Sequence, residues 1–139
     1  MFDLTPLTVL MRWVHLASMA VLVGGALIAR LVLARSARAM PPEARDAAES
    51  AAAVACRPVA IGAILGLVVS GVYQFYSSSG HSTRHNVIFG LKMLLALHVF
   101  SAAILIVQPR NQRRARQIAG LAISGLLVVL LSALLRQFY

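Results

Sequence analysis

Four apolar runs, each close to the length that crosses a bilayer, leave this chain few folds to choose from. They extend from about Pro6 to Leu33, Pro58 to Tyr76, Asn86 to Val107 and Ile118 to Leu135. About 20 mostly apolar residues span a hydrocarbon core as an α-helix. The runs are rich in Leu and Ala and lack period-two alternation. Strands would also leave open edges in lipid, where unpaired backbone groups find no water. The expected fold is therefore all-α, an integral membrane antiparallel four-helix bundle forming a single domain over 1–139. Its helices are expected at about 6–33, 44–76 with a membrane part at 58–76, 86–107 and 118–135.

Composition closes the alternatives. The chain is 60% hydrophobic and 12% charged, against about 45–50% and about 25% in soluble domains. A soluble globule would expose large apolar patches, and disorder needs low hydrophobicity. The net charge of +9 would suggest nucleic acid in a soluble protein. Here the basic residues separate apolar runs, and aromatics are 6% and lie mostly inside the runs. The expected partner is the lipid bilayer and not nucleic acid. The single cysteine, Cys56, permits no intrachain disulfide and no cysteine metal motif. The first run is too long for a signal-peptide core and lacks a cleavage site, so it reads as a retained anchor.

The linkers differ in chemistry. Met40-Pro41-Pro42-Glu43 breaks the chain and starts a helix, and Ala44–Ala55 extends the second helix beyond the membrane. Ser77 to Arg84 is polar and turn-prone. Gln108 to Gln117 carries Arg110, Arg113, Arg114 and Arg116. Arg30, Arg35, Arg38, Arg45 and Arg57 surround the first linker, whereas the second holds only Arg84. The excess of arginine places loops 34–57 and 108–117 in the cytoplasm. Both termini then lie outside (N-out/C-out), and a bacterial inner membrane is the expected location. Gly62, Gly66 and Ser70 are spaced by four, Gly120 and Ser124 repeat the spacing, and Gly24 and Gly25 thin the first helix. Small residues at that spacing let helices approach closely, within one bundle or in a homo-oligomer or larger membrane complex.

Ionisable side chains inside a bilayer are costly and face bundle interiors. His15 lies roughly 13 Å below Pro6 along the first helix, and Lys92 roughly 10 Å below His85 along the third. Both helices descend from the same side, so the two side chains share a level in the outer half. Arg12, three residues before His15, shares nearly the same face, and Tyr73 and Gln74 can close the region from the second helix. An outward-facing polar pocket is the functional reading; snorkelling of Arg12 and Lys92 is the plain one. His98 lies roughly 9 Å deeper than Lys92 on another face, either as a second haem ligand or as a satisfied core histidine. His81 and His85 are four apart and align if the third helix starts early; with His15 they make three imidazoles, which suit copper, zinc or iron. Asp3, Glu43, Asp46 and Glu49 are the only carboxylates, and none lies mid-membrane. A carboxylate proton relay, a hydrolase triad and a phosphate-binding loop are all lacking.

Arg12-Trp13-Val14-His15-Leu16, followed by Val21-Leu22-Val23-Gly24-Gly25, resembles the first helix of the CopD-type copper-resistance membrane domain. Arg57-Pro58 opening the second helix, with Gly71-Val72-Tyr73 near its end, is similar to that family. So is His85-Asn86-Val87-Ile88-Phe89-Gly90-Leu91-Lys92 leading into Met93-Leu94-Leu95-Ala96-Leu97. The resemblance spans nearly the whole chain and implies a four-helix inner-membrane protein of copper handling. The broad group is also similar to HemJ-type protoporphyrinogen oxidases, in which a first-helix His and a third-helix Lys serve activity and haem b binding. The resemblance puts those roles on His15 and Lys92. Arg30-Leu31 is similar to a Pro-Arg-Leu step of the HemJ group, with Ala29 in place of the Pro.

Three functions follow as expectations. The first is a CopD-like binding or transport protein holding copper or haem b through His15, His85 and Lys92, with His98 as an extra ligand. The second is a HemJ-like oxidase, with Lys92 on a porphyrin propionate and His15 near the macrocycle. The third is a non-catalytic accessory subunit. Met11, Met19 and Met93 form no closely spaced thioether cluster, so a methionine relay for Cu(I) has little support.

Overall fold

The computed structural model describes residues 5–77, 83–108 and 111–135, with His85 and Leu135 described for their backbone alone. It contains α1 (Pro6–Ile28), which runs on through a π-helical turn at Ala29–Leu33 into α2 (Ala34–Ala37). α3 (Pro42–Ser77), α4 (Thr83–Ile106) and α5 (Arg114–Leu135) follow. No strand occurs among the described residues. Four helices, at Pro6–Ala37, Pro42–Ser77, Asn86–Ile106 and Arg114–Leu134, are long and apolar enough to cross a membrane.

Local chemistry sets the ends. Thr5 caps α1, its hydroxyl oxygen accepting from the Thr8 amide at 3.4 Å, and Pro6 occupies the first helical turn. The first helix reaches Ala37, beyond the expected end near Leu33, because nothing before Met40-Pro41 interrupts helical hydrogen bonding. α4 starts at Thr83 and α5 at Arg114, each a few residues before its apolar run. Polar residues continue a helix readily where they face water. Pro58 does not open a helix. It lies inside an unbroken α3, where it has no N–H to offer the Val54 carbonyl.

The bundle is apolar outside as well as within. Only 17–28% of each apolar window is buried. Trp13, Leu16 and Leu94 are each about two-thirds exposed, an arrangement that requires lipid rather than water around it. The centre is built largely from small side chains: Ala26, Ala63, Ala102, Ala103 and Ala122 pack with Leu22, Leu67, Val99 and Leu121. The closest pairings are α1 with α3 and α4 with α5, and α1 also packs on α5. α3 and α4 pack less closely than these three pairs.

Glycine matters at two of these crossings. A Cβ at Gly66 would run into the Ser18 hydroxyl on α1, and one at Gly125 would come within 2.6 Å of Val23 Cγ2. Gly24, Gly25 and Gly62 face nothing within 4 Å. The four-residue spacing thus marks a contact at Gly66 and Ser70 but not at Gly62.

At the arginine-rich end each turn is closed by the helix that follows it. Arg45 Nε donates to the Ala37 carbonyl at 2.9 Å, and Arg114 Nε donates to the Ile106 carbonyl at 3.1 Å. The donor lies eight residues past its acceptor in both cases. Arg114 also reaches the Gln108 carbonyl at 2.8 Å and pairs with Glu49 of α3 at 3.7 Å, which ties the two hairpins together.

Gly125→Ala should lower stability by about 1–3 kcal/mol, the usual cost of overpacking, since branched Val23 has little room to move. Gly62→Ala should be neutral or stabilising by up to about 1 kcal/mol through helix propensity. Unfolding of both variants in mixed detergent micelles, measured by circular dichroism, checks the contrast.

Candidate functional site

At the end of the bundle away from the arginine-rich turns, polar side chains from α1, α3 and α4 gather beyond the small-residue core. His15 on α1 and Lys92 on α4 are both half-buried, and Lys92 lies within electrostatic range of the His15 ring. Thr8, His15, Leu22 and Ala26 recur at helical spacing on α1, so the face that turns inward carries both the polar pair and the core. On α4, Lys92 shares its face with buried Val99 and Ala103, seven and eleven residues away, which directs it to the bundle interior.

The contacts of Ser70 fix how His15 is held. Ser70 is fully buried. Its Oγ lies 2.5 Å from the Gly66 carbonyl and 2.9 Å from His15 Nδ1. A hydroxyl has one proton to donate, and two oxygens at the shorter distance need that proton between them. The hydroxyl therefore donates to Gly66 and accepts from His15 Nδ1–H. This tautomer is assigned from the network, and it leaves Nε2 with the free lone pair. The ring lies over Gly71, where a Cβ would be in ordinary van der Waals contact with His15 Cε1 at 3.9 Å.

The outer end is closed by a second chain of hydroxyls. Thr5 Oγ1 and Thr8 Oγ1 are 2.8 Å apart, and Thr8 Oγ1 lies 3.1 Å from Tyr73 Oη. Gln74, one turn beyond Ser70 on the same face of α3, has a buried Nε2 with no partner among the described residues. A buried amide donor without an acceptor is costly, so this atom calls for an acceptor. On the flank, Phe75 stacks on Phe89 of α4 at 4.7 Å and joins the two helices there.

Among the described residues, no carboxylate accompanies Lys92 at this end of the bundle. The described carboxylates, Glu43, Asp46 and Glu49, all belong to the first part of α3 at the opposite end. None of them pairs with Lys92. A half-buried ammonium facing a bundle interior without a carboxylate suits a ligand that brings negative charge.

The remaining sequence candidates are distributed as follows. Tyr73 joins the polar cluster through Thr8. Arg12 is exposed on α1. His98 is exposed on α4, and its Nε2 lies 3.7 Å from where a Cβ on Gly120 of α5 would sit, so it faces α5 rather than His15. His81 lies outside the described residues, and His85 falls in the first turn of α4 with its side chain undescribed. Among the described residues no group of three His, Cys, Asp or Glu could hold a metal ion. Ser70 and Thr8 are the members that sequence reasoning missed. Ser70, Tyr73 and Gln74 recur at three- and four-residue spacing, and that signal was available.

A double-mutant cycle of Thr8→Val and Tyr73→Phe should give a coupling of about 0.6 kcal/mol, typical of interhelical hydrogen bonds in membranes. Unfolding in detergent micelles measures it, and additive single-mutant effects would contradict the pairing.

No family model, curated protein or solved structure matches this chain.

Proposed function

We propose that the chain is a CopD-like integral membrane protein that binds haem b in an outer-leaflet pocket. His15 Nε2 is the iron ligand and Lys92 the partner of a propionate. The proposed setting is a bacterial inner membrane with loops 34–57 and 108–117 cytoplasmic, in keeping with the concentration of arginine at one end of the bundle. The observation that carries the reading is the His15–Ser70–Gly66 chain. A ligating histidine characteristically donates its other ring N–H to a fixed acceptor, which sets tautomer and orientation.

The donor set suits haem better than a metal ion held by protein alone. Haem iron needs one imidazole from the chain, and the carboxylates of haem would match both Lys92 and the Gln74 amide, which has no partner among the described residues. A caged copper ion needs further ligands. In this chain those fall to His81 and His85, the basis of the copper reading. Bound haem supplies one-electron redox chemistry. The residues of this chain hold and orient it: Ser70 fixes the imidazole, Lys92 balances the propionate, the Thr8–Tyr73 pair closes the outer end, and Leu22, Ala26 and Leu67 keep the inner side dry.

The absorption spectrum of the protein purified from haem-replete cells tests this directly. A Soret band is expected, lost in His15→Ala. Ser70→Ala should weaken haem binding by about 10–100-fold, the usual cost of losing such a supporting hydrogen bond. Stoichiometric copper without a Soret band would move the assignment to His15, His81 and His85. Neither ligand, with fixed co-purifying proteins, would favour an accessory subunit. Growth of a strain lacking protoporphyrinogen oxidase on this chain would assign the HemJ-type activity.

A further inference from the structure

The arginine-rich end carries a second feature, remote from His15. A groove of about 180 Å³ opens between α3 and α4, roughly six times the ~30 Å³ share of a water molecule in the liquid. α3 and α4 pack less closely than either helix does with its hairpin partner. Ala60, Ile61 and Ile64 line it from α3, and Ile104 from α4. Because α3 runs away from the arginine-rich end and α4 runs toward it, Arg57 and Gln108 mark the groove's polar end. From Arg57 to Ile64 the groove rises roughly 10 Å along the helix, from headgroup level into the span.

Arg57 is exposed and has no ion pair among the described residues. Glu49, the carboxylate nearest to it in sequence, is engaged by Arg114. The surrounding end carries more arginine than acid. A cationic, donor-rich head above an apolar slot complements a molecule with a phosphate at one end and a hydrocarbon chain at the other. The excess of positive charge disfavours a headgroup that carries its own ammonium.

We propose that this groove binds an anionic phospholipid, its phosphate on Arg57 and Gln108 and the upper part of one acyl chain against Ile61, Ile64 and Ile104. Guanidinium meets phosphate in bidentate fashion, and basic pockets between membrane helices select anionic lipids. The site is independent of whatever the His15 cluster holds.

Native mass spectrometry of the full chain, with phosphatidylglycerol and phosphatidylcholine of identical acyl chains added to the detergent, tests it. Phosphatidylglycerol is expected to bind more tightly. Arg57→Gln should weaken it by about fivefold, the contribution of roughly one arginine near an anionic surface. Ala60→Trp, which fills the slot and keeps the charge, should weaken it as well, and Arg116→Gln should not. Circular dichroism confirms that each variant is folded. Equal binding of the two lipids to the wild-type chain would overturn the proposal. So would an unchanged preference in Arg57→Gln and Ala60→Trp, or a loss in Arg116→Gln equal to that in Arg57→Gln.

Discussion

Where the single proton of the Ser70 hydroxyl goes determines what the outer half of this bundle can do. Directed at the Gly66 carbonyl, it leaves the oxygen to accept from His15 Nδ1. The imidazole is then held in one orientation with its other nitrogen unprotonated. The contact needs α1 and α3 close together, and they approach at Gly66, where a Cβ would displace the Ser18 hydroxyl. Packing and chemistry are thus one feature on this face of α3: the residue that lets the helices meet also receives the hydrogen bond that sets the tautomer.

The same economy of small residues shapes the rest of the interior. Below His15 the core is rich in alanine, which brings the backbones together. Above it the side chains are longer and polar, and no described carboxylate balances Lys92. The bundle is therefore asymmetric along its axis, with a closely packed small-residue core on one side of His15 and a polar cluster on the other. A ligand carrying both a coordinating centre and carboxylates would satisfy His15, Lys92 and Gln74 together.

Much of this could be read from the sequence, and the reasons for the rest are physical. Run length and composition specify four helices because lipid removes every alternative for the backbone. The depths of His15 and Lys92 follow from helical rise, and facing positions on α1 and α4 bring them within electrostatic range. Helix ends were less legible, since Ala34–Ala37 and Thr83–His85 are helical beyond the apolar runs, where hydropathy gives no signal. Pro58 lies inside α3, as a second helix over 44–76 requires: a proline near the edge of a span costs one hydrogen bond but does not stop a long helix supported on both sides. Ser70 was hidden because a serine in a small-residue series reads as a packing spacer, and only the partner across the interface distinguishes spacer from acceptor.

The paired arginine clasps bear on how such a chain is built. Arg45 and Arg114 each fasten the end of the preceding helix from the same distance along the chain, and the tightest helix packing lies within each hairpin rather than between them. Each half thus holds its own turn shut with residues it already contains. A nascent chain can release its spans into the bilayer two at a time, each pair self-secured on emergence, and leave the meeting of α1 with α5 as the later step that completes the four-helix unit.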